Sequence, residues 1–304
     1  MNGSSTFSYA YGNSATIENK GIELDFDANI LPSDSKIKWT VFGNWSKNKN
    51  EVTRLDGTSS LFLNGFTGGS SRAVLGEPLG VLWGGKFDRD ANGTLILDAN
   101  GFPTVASSEG VIGDPNPKWR GGIGTAIEYK NFKLSTLFDA SMGGQLWDGT
   151  NGALTNFGRT WETANEVTLT TPTVNYAGDI IPAGTVRGNL HDFGGGSVLL
   201  DQSWYQSVGG GFGPVAEQFV KSASWVKWRE LTLSYHLKLS DKKILGFESA
   251  TFSVTGRNLW LWTEAKDLGQ DPETNLTGGS NGRGLQYFNN PNSKSFIFSV
   301  NLKF

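Results

Sequence analysis

The sequence predicts an all-β protein, a transmembrane antiparallel β-barrel represented by some of its strands, and three observations carry that prediction. Apolar and polar residues alternate over stretches of about 9 to 11 residues, the length of a tilted strand crossing a bilayer. The connections between those stretches are alternately short and long. The 304 residues include 41 Gly, 11 Trp, 19 Phe and 7 Tyr, a composition rich in turn formers and interfacial aromatics, and no run of about 18 apolar residues that could cross as a helix.

The first stretch, 16–30, sets Ile22, Leu24, Phe26, Ala28 and Ile30 on one face and Glu23, Asp25, Asp27 and Asn29 on the other, a strand with one greasy and one wet side. Pro32, Ser33 and Asp34 make a short turn. The return strand, 37–47, places Ile37, Trp39, Val41, Gly43 and Trp45 opposite Lys38, Thr40, Asn44 and Ser46. A second hairpin joins 119–130 to 132–142 through Lys130 and Asn131, with Ile123, Thr125, Ile127 and Tyr129 answered by Phe132, Leu134, Thr136, Phe138, Ala140 and Met142. A third joins 225–237 to 248–258 through a turn around Ser240 to Lys243, with Leu231, Leu233, Tyr235 and Leu237 answered by Ala250, Phe252, Val254 and Gly256. The last strand, 294–304, carries Phe296, Phe298, Val300, Leu302 and Phe304 on one face, the pattern of a C-terminal barrel signal.

Between the hairpins lie long Gly-, Asn- and Trp-rich excursions at 48–118, 143–218 and 257–292. Outer-membrane barrels have short periplasmic turns and long external loops. Seven strands cannot close a bacterial barrel of even strand number, and free edges in lipid leave backbone groups unpaired. The reading is therefore the C-terminal strands of a larger barrel, located in the cell outer membrane. Residues 1–30 show no basic segment followed by an apolar one, so no signal peptide is expected in the chain as written.

Several local stretches resemble one family, the SusC/RagA-like TonB-dependent transporters of Bacteroidetes. They are Asn19-Lys20-Gly21-Ile22-Glu23-Leu24, Gly76-Glu77-Pro78-Leu79-Gly80, Ile112-Gly113-Asp114-Pro115-Asn116-Pro117-Lys118-Trp119, Tyr129-Lys130-Asn131-Phe132, Arg257-Asn258-Leu259, Asp271-Pro272-Glu273 and the terminal Phe304. The resemblance implies a barrel of about 22 strands with an N-terminal plug, which imports glycans or peptides together with a SusD-like surface lipoprotein. It also implies coupling to the TonB complex through an N-terminal part that this chain lacks, so the plug domain is expected to be absent here. Two alternatives stand beside it: a SusC-like barrel acting as a structural subunit of an outer-membrane assembly without transport, and a secreted carbohydrate-binding β-sandwich.

Candidate sites are few. The 26 Lys+Arg against 29 Asp+Glu form no basic stripe, so nucleic acid is not an expected partner; outer-membrane lipid is. Cysteine is absent and the histidines are His191 and His236, which removes thiolate chemistry and most zinc sites. His191-Asp192 lacks a nucleophile elbow, and no enzyme is expected. Asp88, Asp90 and Asn92, with Gly93, open like a calcium loop, yet Ala99 stands where a bidentate Glu belongs. Turn chemistry is the preferred account, with Ca2+ the one cofactor the pattern would accept. Trp83, Trp147, Trp161 and Trp204 in the excursions are candidate substrate-binding rings, the competing account being that they pack the loops. Trp39, Trp45, Trp225, Trp228, Trp260 and Trp262 suit interfacial girdles. Glu23, Asp25 and Asp27 read as solvated lumen lining, and Gly209-Gly210-Gly211-Phe212-Gly213 as flexible backbone.

The two faces are expected to respond differently to charge. In the full-length protein, Leu24→Arg or Phe252→Arg at mid-membrane depth should cost about 2 to 4 kcal/mol, and a polar change at Asp25 much less. Equilibrium unfolding from lipid vesicles measures the difference, and equal costs on both faces would refute the lipid and lumen assignment.

Overall fold

The computed structural model describes residues 13–66, 68–238, 247–278 and 280–304. Seven long strands make one continuous sheet: β1 (Ala15–Asn29), β2 (Ile37–Leu55), β3 (Trp119–Tyr129), β4 (Phe132–Met142), β5 (Trp225–Lys238), β6 (Ser249–Thr263) and β7 (Ser295–Lys303). Each pairs antiparallel with the next in chain order. A β-sandwich would need two packed sheets, so that alternative is set aside. β1 and β7 each have one neighbour in this sheet, and such edges in hydrocarbon demand further strands. The sheet is a wall segment of a larger antiparallel barrel. No described helix is long and apolar enough to cross a membrane.

Residues directly opposite in an antiparallel pair share a face, so the register carries each face across the sheet. One outward row runs Phe26, Gly43, Ile123, Phe138, Trp228, Trp260, and the neighbouring inward row runs Asp25, Asn44, Gly122, Asp139, Lys227. Gly43 is required where it stands, because a Cβ there would lie 2.8 Å from the Phe26 ring that covers it. Inward hydroxyls zip β5 to β6 through Thr232–Thr255 (2.9 Å) and Ser234–Ser253 (2.9 Å), and His236 Nδ1 lies 3.0 Å from Thr251 Oγ1.

Within the apolar zone, the outward face of β3 and β4 carries two threonines, Thr125 and Thr136, directly opposite each other. Each is neutralised in the same way. Trp39 Nε1 donates to Thr125 Oγ1 (2.8 Å), which donates to the Thr40 carbonyl (3.0 Å); Trp228 Nε1 donates to Thr136 Oγ1 (2.7 Å), which donates to the Glu230 carbonyl (3.0 Å). These two indoles therefore serve hydroxyls on the lipid face and are not free girdle residues. Trp225 departs from the girdle reading altogether, since it is buried on the inward face opposite Ser141.

β2 and β6 run past their expected ends at 47 and 258. Beyond the apolar zone the ladder continues in water, where Lys47, Lys49 and Glu51 alternate with Asn48 and Asn50 and no greasy face marks the strand. Val52 and Leu55 at the tip of β2 then pack with Ala73 beneath the first excursion. Among the short connections, the β3–β4 turn holds Lys130 at φ 53°, a left-handed conformation that costs a non-glycine residue about 1 kcal/mol. The β5–β6 turn around Ser240 to Lys243 lies outside the described residues.

Thr136→Val would strand the Trp228 N–H and a backbone carbonyl in hydrocarbon and should cost about 1 kcal/mol. Trp228→Phe in the same background should recover part of it. A double-mutant cycle on the full-length protein in vesicles checks this, and additive losses would refute the pairing.

Candidate functional site at the external mouth

On the outward face of β5 the apolar step from Trp228 to Leu231 is three residues where alternation allows two. The ladder absorbs the extra residue as a register shift between Trp228 and Glu230 against both β4 and β6, the signature of a β-bulge. The consequence is that Arg229 joins Lys227 on the inward side. Lys227, only 2 % exposed, donates to Asp271 Oδ2 (2.5 Å) and to Glu273, and its Nζ stands 4.8 Å from the centre of the Trp225 ring. Arg229 Nε donates to Asp139 Oδ2 (2.8 Å), and its two terminal nitrogens reach the two oxygens of Glu273 at 3.0 Å each. Asn292 completes the knot by donating to Asp271 Oδ2 (2.9 Å). Burial pushes the Glu273 carboxyl up, but the hydrogen bonds from Arg229 and Lys227 outweigh it and hold the group below 4.5.

This knot pins the third excursion across the inward face, where it roofs a cavity of about 700 Å³ walled by β3, β4 and β5. The excursions are also packed on one another. Trp147 sits in a cluster that takes Leu82 from the first excursion, Ala216 and Phe219 from the second and Leu285 from the third. A three-stranded sheet, Val220–Ser222 beside Gln145–Asp148 beside Leu285–Gln286, ties the second excursion to the third. The helix α1 (Gly149–Asn156) follows, capped by Asp148, whose Oδ1 accepts from Asn151 N (3.0 Å). A second cluster joins Phe102 of the first excursion to Val198, Leu200, Trp204, Tyr205 and Val215 of the second.

These cores decide the fate of the four candidate rings. Trp147 and Trp204, each 4 % exposed, are the centres of the two loop cores, where their large apolar area holds the excursions together; one edge of Trp147 also lines a second cavity with Phe66, Phe212 and Tyr287. Trp83 has Arg72 over its ring at 5.0 Å and donates through Nε1 to Glu109 (2.9 Å). Trp161 alone of the four is open, at 92 % exposure. The glycine run at 209–213 is packed, not flexible: Gly211 N donates to the Gly152 carbonyl (2.8 Å), and a Cβ on Gly211 would sit 2.4 Å from that carbonyl carbon.

Asp90 and Asn92 form a turn in which Asp90 Oδ1 accepts from the N–H groups of Asn92 (2.8 Å) and Thr94 (3.0 Å); Asp88 Oδ1 accepts from Arg89 N (3.0 Å). Asp98 repeats the arrangement toward Asn100 and Phe102. The described residues contain no group of three or more His, Asp or Glu that could hold a metal ion. Glu23, Asp25 and Asp27 lie on the inward face of β1, opposite Ser46, Asn44 and Phe42. Phe296, Phe298, Val300 and Leu302 lie on the outward face of β7, and Phe304 follows against Phe247, 4.6 Å between ring centres. The sequence reading passed over Lys227, Arg229, Asp139 and Glu273; the three-residue apolar step in β5 was the available signal for them.

An antiparallel sheet with a greasy outer face, a polar inner face and long interlocked loops at one end is a wall segment of an outer-membrane β-barrel. No family model matches the chain. Over 96% of its length it is 28% identical to TonB-dependent receptor P3 of Formosa agariphila, covering 29% of that protein, and it is 25% identical to TonB-dependent receptor P26 of the same organism, covering 30%. The RagAB peptide transporter superposes on 98% of the chain with a TM-score of 0.57 at 19% identity, and the RagAB peptide importer in its closed-closed state on 97% with a TM-score of 0.59 at 19% identity. The chain spans about 30% of the length of these relatives. The chain is thus similar over nearly its whole length to a segment of TonB-dependent receptors, and its fold is that of a wall segment of an outer-membrane β-barrel.

Glu273 makes the knot sensitive to acid. Above pH 4.5 its pairing contributes in full; as pH falls from 4.5 through the lower folded value, protonation removes that contribution. Hydrogen exchange of residues 269–275, corrected for intrinsic rates, should lose protection across that window in the wild type, whereas Glu273→Gln should already be less protected at neutral pH and show a smaller step. Asp139 and Asp271 are common to both proteins, so matching profiles would refute the role of Glu273.

Proposed function

We propose that this chain supplies part of the lumen wall and external mouth of a TonB-dependent transporter that imports glycans or peptides, with a SusD-like lipoprotein closing over the mouth. The observation that carries the reading is the continuous inward polar face leading to a loop-roofed cavity, in a chain similar over nearly its whole length to TonB-dependent receptors. The inward row of β3 carries Gly122, Gly124 and Ala126, and neighbouring side chains fill the space above the glycines, Asp139 over Gly122 and the Phe42 ring over Gly124. The packed excursions offer a shaped external surface, and Trp161, the most exposed of several open rings on it, suits a sugar face or a partner protein. The RagAB neighbours, named as a peptide transporter and peptide importer, support transport of a chain-like cargo. Energy would enter through parts of the full-length protein outside this chain.

The test is uptake. Cells carrying the full-length protein should accumulate a fluorescent oligosaccharide or oligopeptide, should lose accumulation on depletion of TonB, and should yield the barrel together with a surface lipoprotein on affinity purification. Accumulation indifferent to both the protein and TonB would overturn the reading.

A further inference from the structure

The charges around the mouth cavity do not balance. Facing it are three guanidinium groups, Arg120, Arg229 and Arg283, and two carboxylates, Asp139 and Glu273. Arg229 occupies both acids, one through Nε and the other through its terminal nitrogens, and Lys227 takes a further share of Glu273. Arg120 and Arg283 have no ion-pair or hydrogen-bond partner among the described residues. Arg120 projects from the strand wall in the inward row, opposite Ser46 and Ser141. Arg283 comes from the roof, between Gly282 and Gly284 of the third excursion. Asn44, Ser141 and Gln145 add neutral polar groups to the same space.

We propose that Arg120 and Arg283 form a carboxylate subsite for the cargo, an inference that rests on the transporter reading above. Two guanidinium groups from different elements, on one cavity of about 700 Å³, can each present parallel N–H donors to a carboxylate, the fork-to-fork match that lysine lacks. The cavity's own acids direct their hydrogen bonds to Arg229 and Lys227 and make none to Arg120 or Arg283. The volume falls within the range of about 300 to 1,000 Å³ typical of small-ligand sites. A carboxylate reaches such a site either on an acidic peptide or on a uronic acid of an oligosaccharide, and the experiment separates the two.

The full-length protein in detergent is titrated calorimetrically with tetraglutamate against tetraglutamine, both N-acetylated and C-amidated, and with a tetragalacturonate against a neutral tetragalactose. One acidic probe should bind more tightly than its neutral counterpart, and which one does identifies the source. Arg120→Gln with Arg283→Gln should weaken that probe by about ten- to a hundredfold, leave the neutral counterpart unchanged and leave the unfolding midpoint of the empty protein where it was. The proposal is overturned if neither acidic probe is preferred, if both members of a pair weaken alike, or if the variant lowers the midpoint without changing binding, which would mean that the arginines pair with other parts of the protein. Failure of the transporter reading is seen separately, as acid-selective binding without TonB-dependent uptake.

Discussion

Hydrocarbon offers a backbone amide nothing to bond to, and from that constraint most of this architecture follows. Each spanning residue must sit in a ladder, so the strands pair in antiparallel register, and outside the bulge in β5 a period of two assigns each side chain to lipid or to lumen. Each of the six ladders between the seven strands carries the same assignment to the next. Polar groups on the lipid side are tolerated only when fully occupied. Thr125 and Thr136 meet that condition by receiving an indole N–H and passing their own proton to a carbonyl.

Above the membrane the constraint lifts, and a different one takes its place. Backbone in water needs no ladder, so long loops hold a shape only if they bury apolar surface of their own. The three excursions do this jointly. Leu82, Trp147, Phe219 and Leu285 come from all three, and the parallel pairing of Leu285–Gln286 with Gln145–Asp148 adds backbone hydrogen bonds across the same seam. The mouth therefore behaves as a small domain assembled from separate connections and set on top of the sheet.

That division explains what could be read in advance. Alternation exposes spanning strands because lipid and lumen impose opposite demands on neighbouring residues, so Leu24 and Asp25 reveal their sides from sequence alone. The loop cores leave no such trace. Trp147 and Trp204 stand in Gly-rich surroundings that resemble exposed binding loops, and only the convergence of distant segments buries them. The reach of β2 to Leu55 was hidden for the same reason, since its last turns of ladder lie in water and their polar residues no longer alternate with greasy ones. Gly211 looked slack but is held by close approach to Gly152, a long-range fact that a run of glycines cannot announce.

The bulge in β5 links the two regimes. A lipid-facing Trp228 and a lipid-facing Leu231 can coexist only if one residue between them is taken out of the alternation, and the one taken out is Arg229, which turns inward beside Lys227. Two cations on the inward face carry a desolvation cost that several kcal/mol of pairing must offset, and β4 supplies only Asp139. The remaining anions, Asp271 and Glu273, come from the third excursion, while Glu230 is already engaged by Arg257 of β6 (3.1 Å). Lys227 and Arg229 are thus fully partnered only when residues 271–273 lie across the inner wall, so a choice made for the lipid face of one strand fixes where the roof of the mouth must sit.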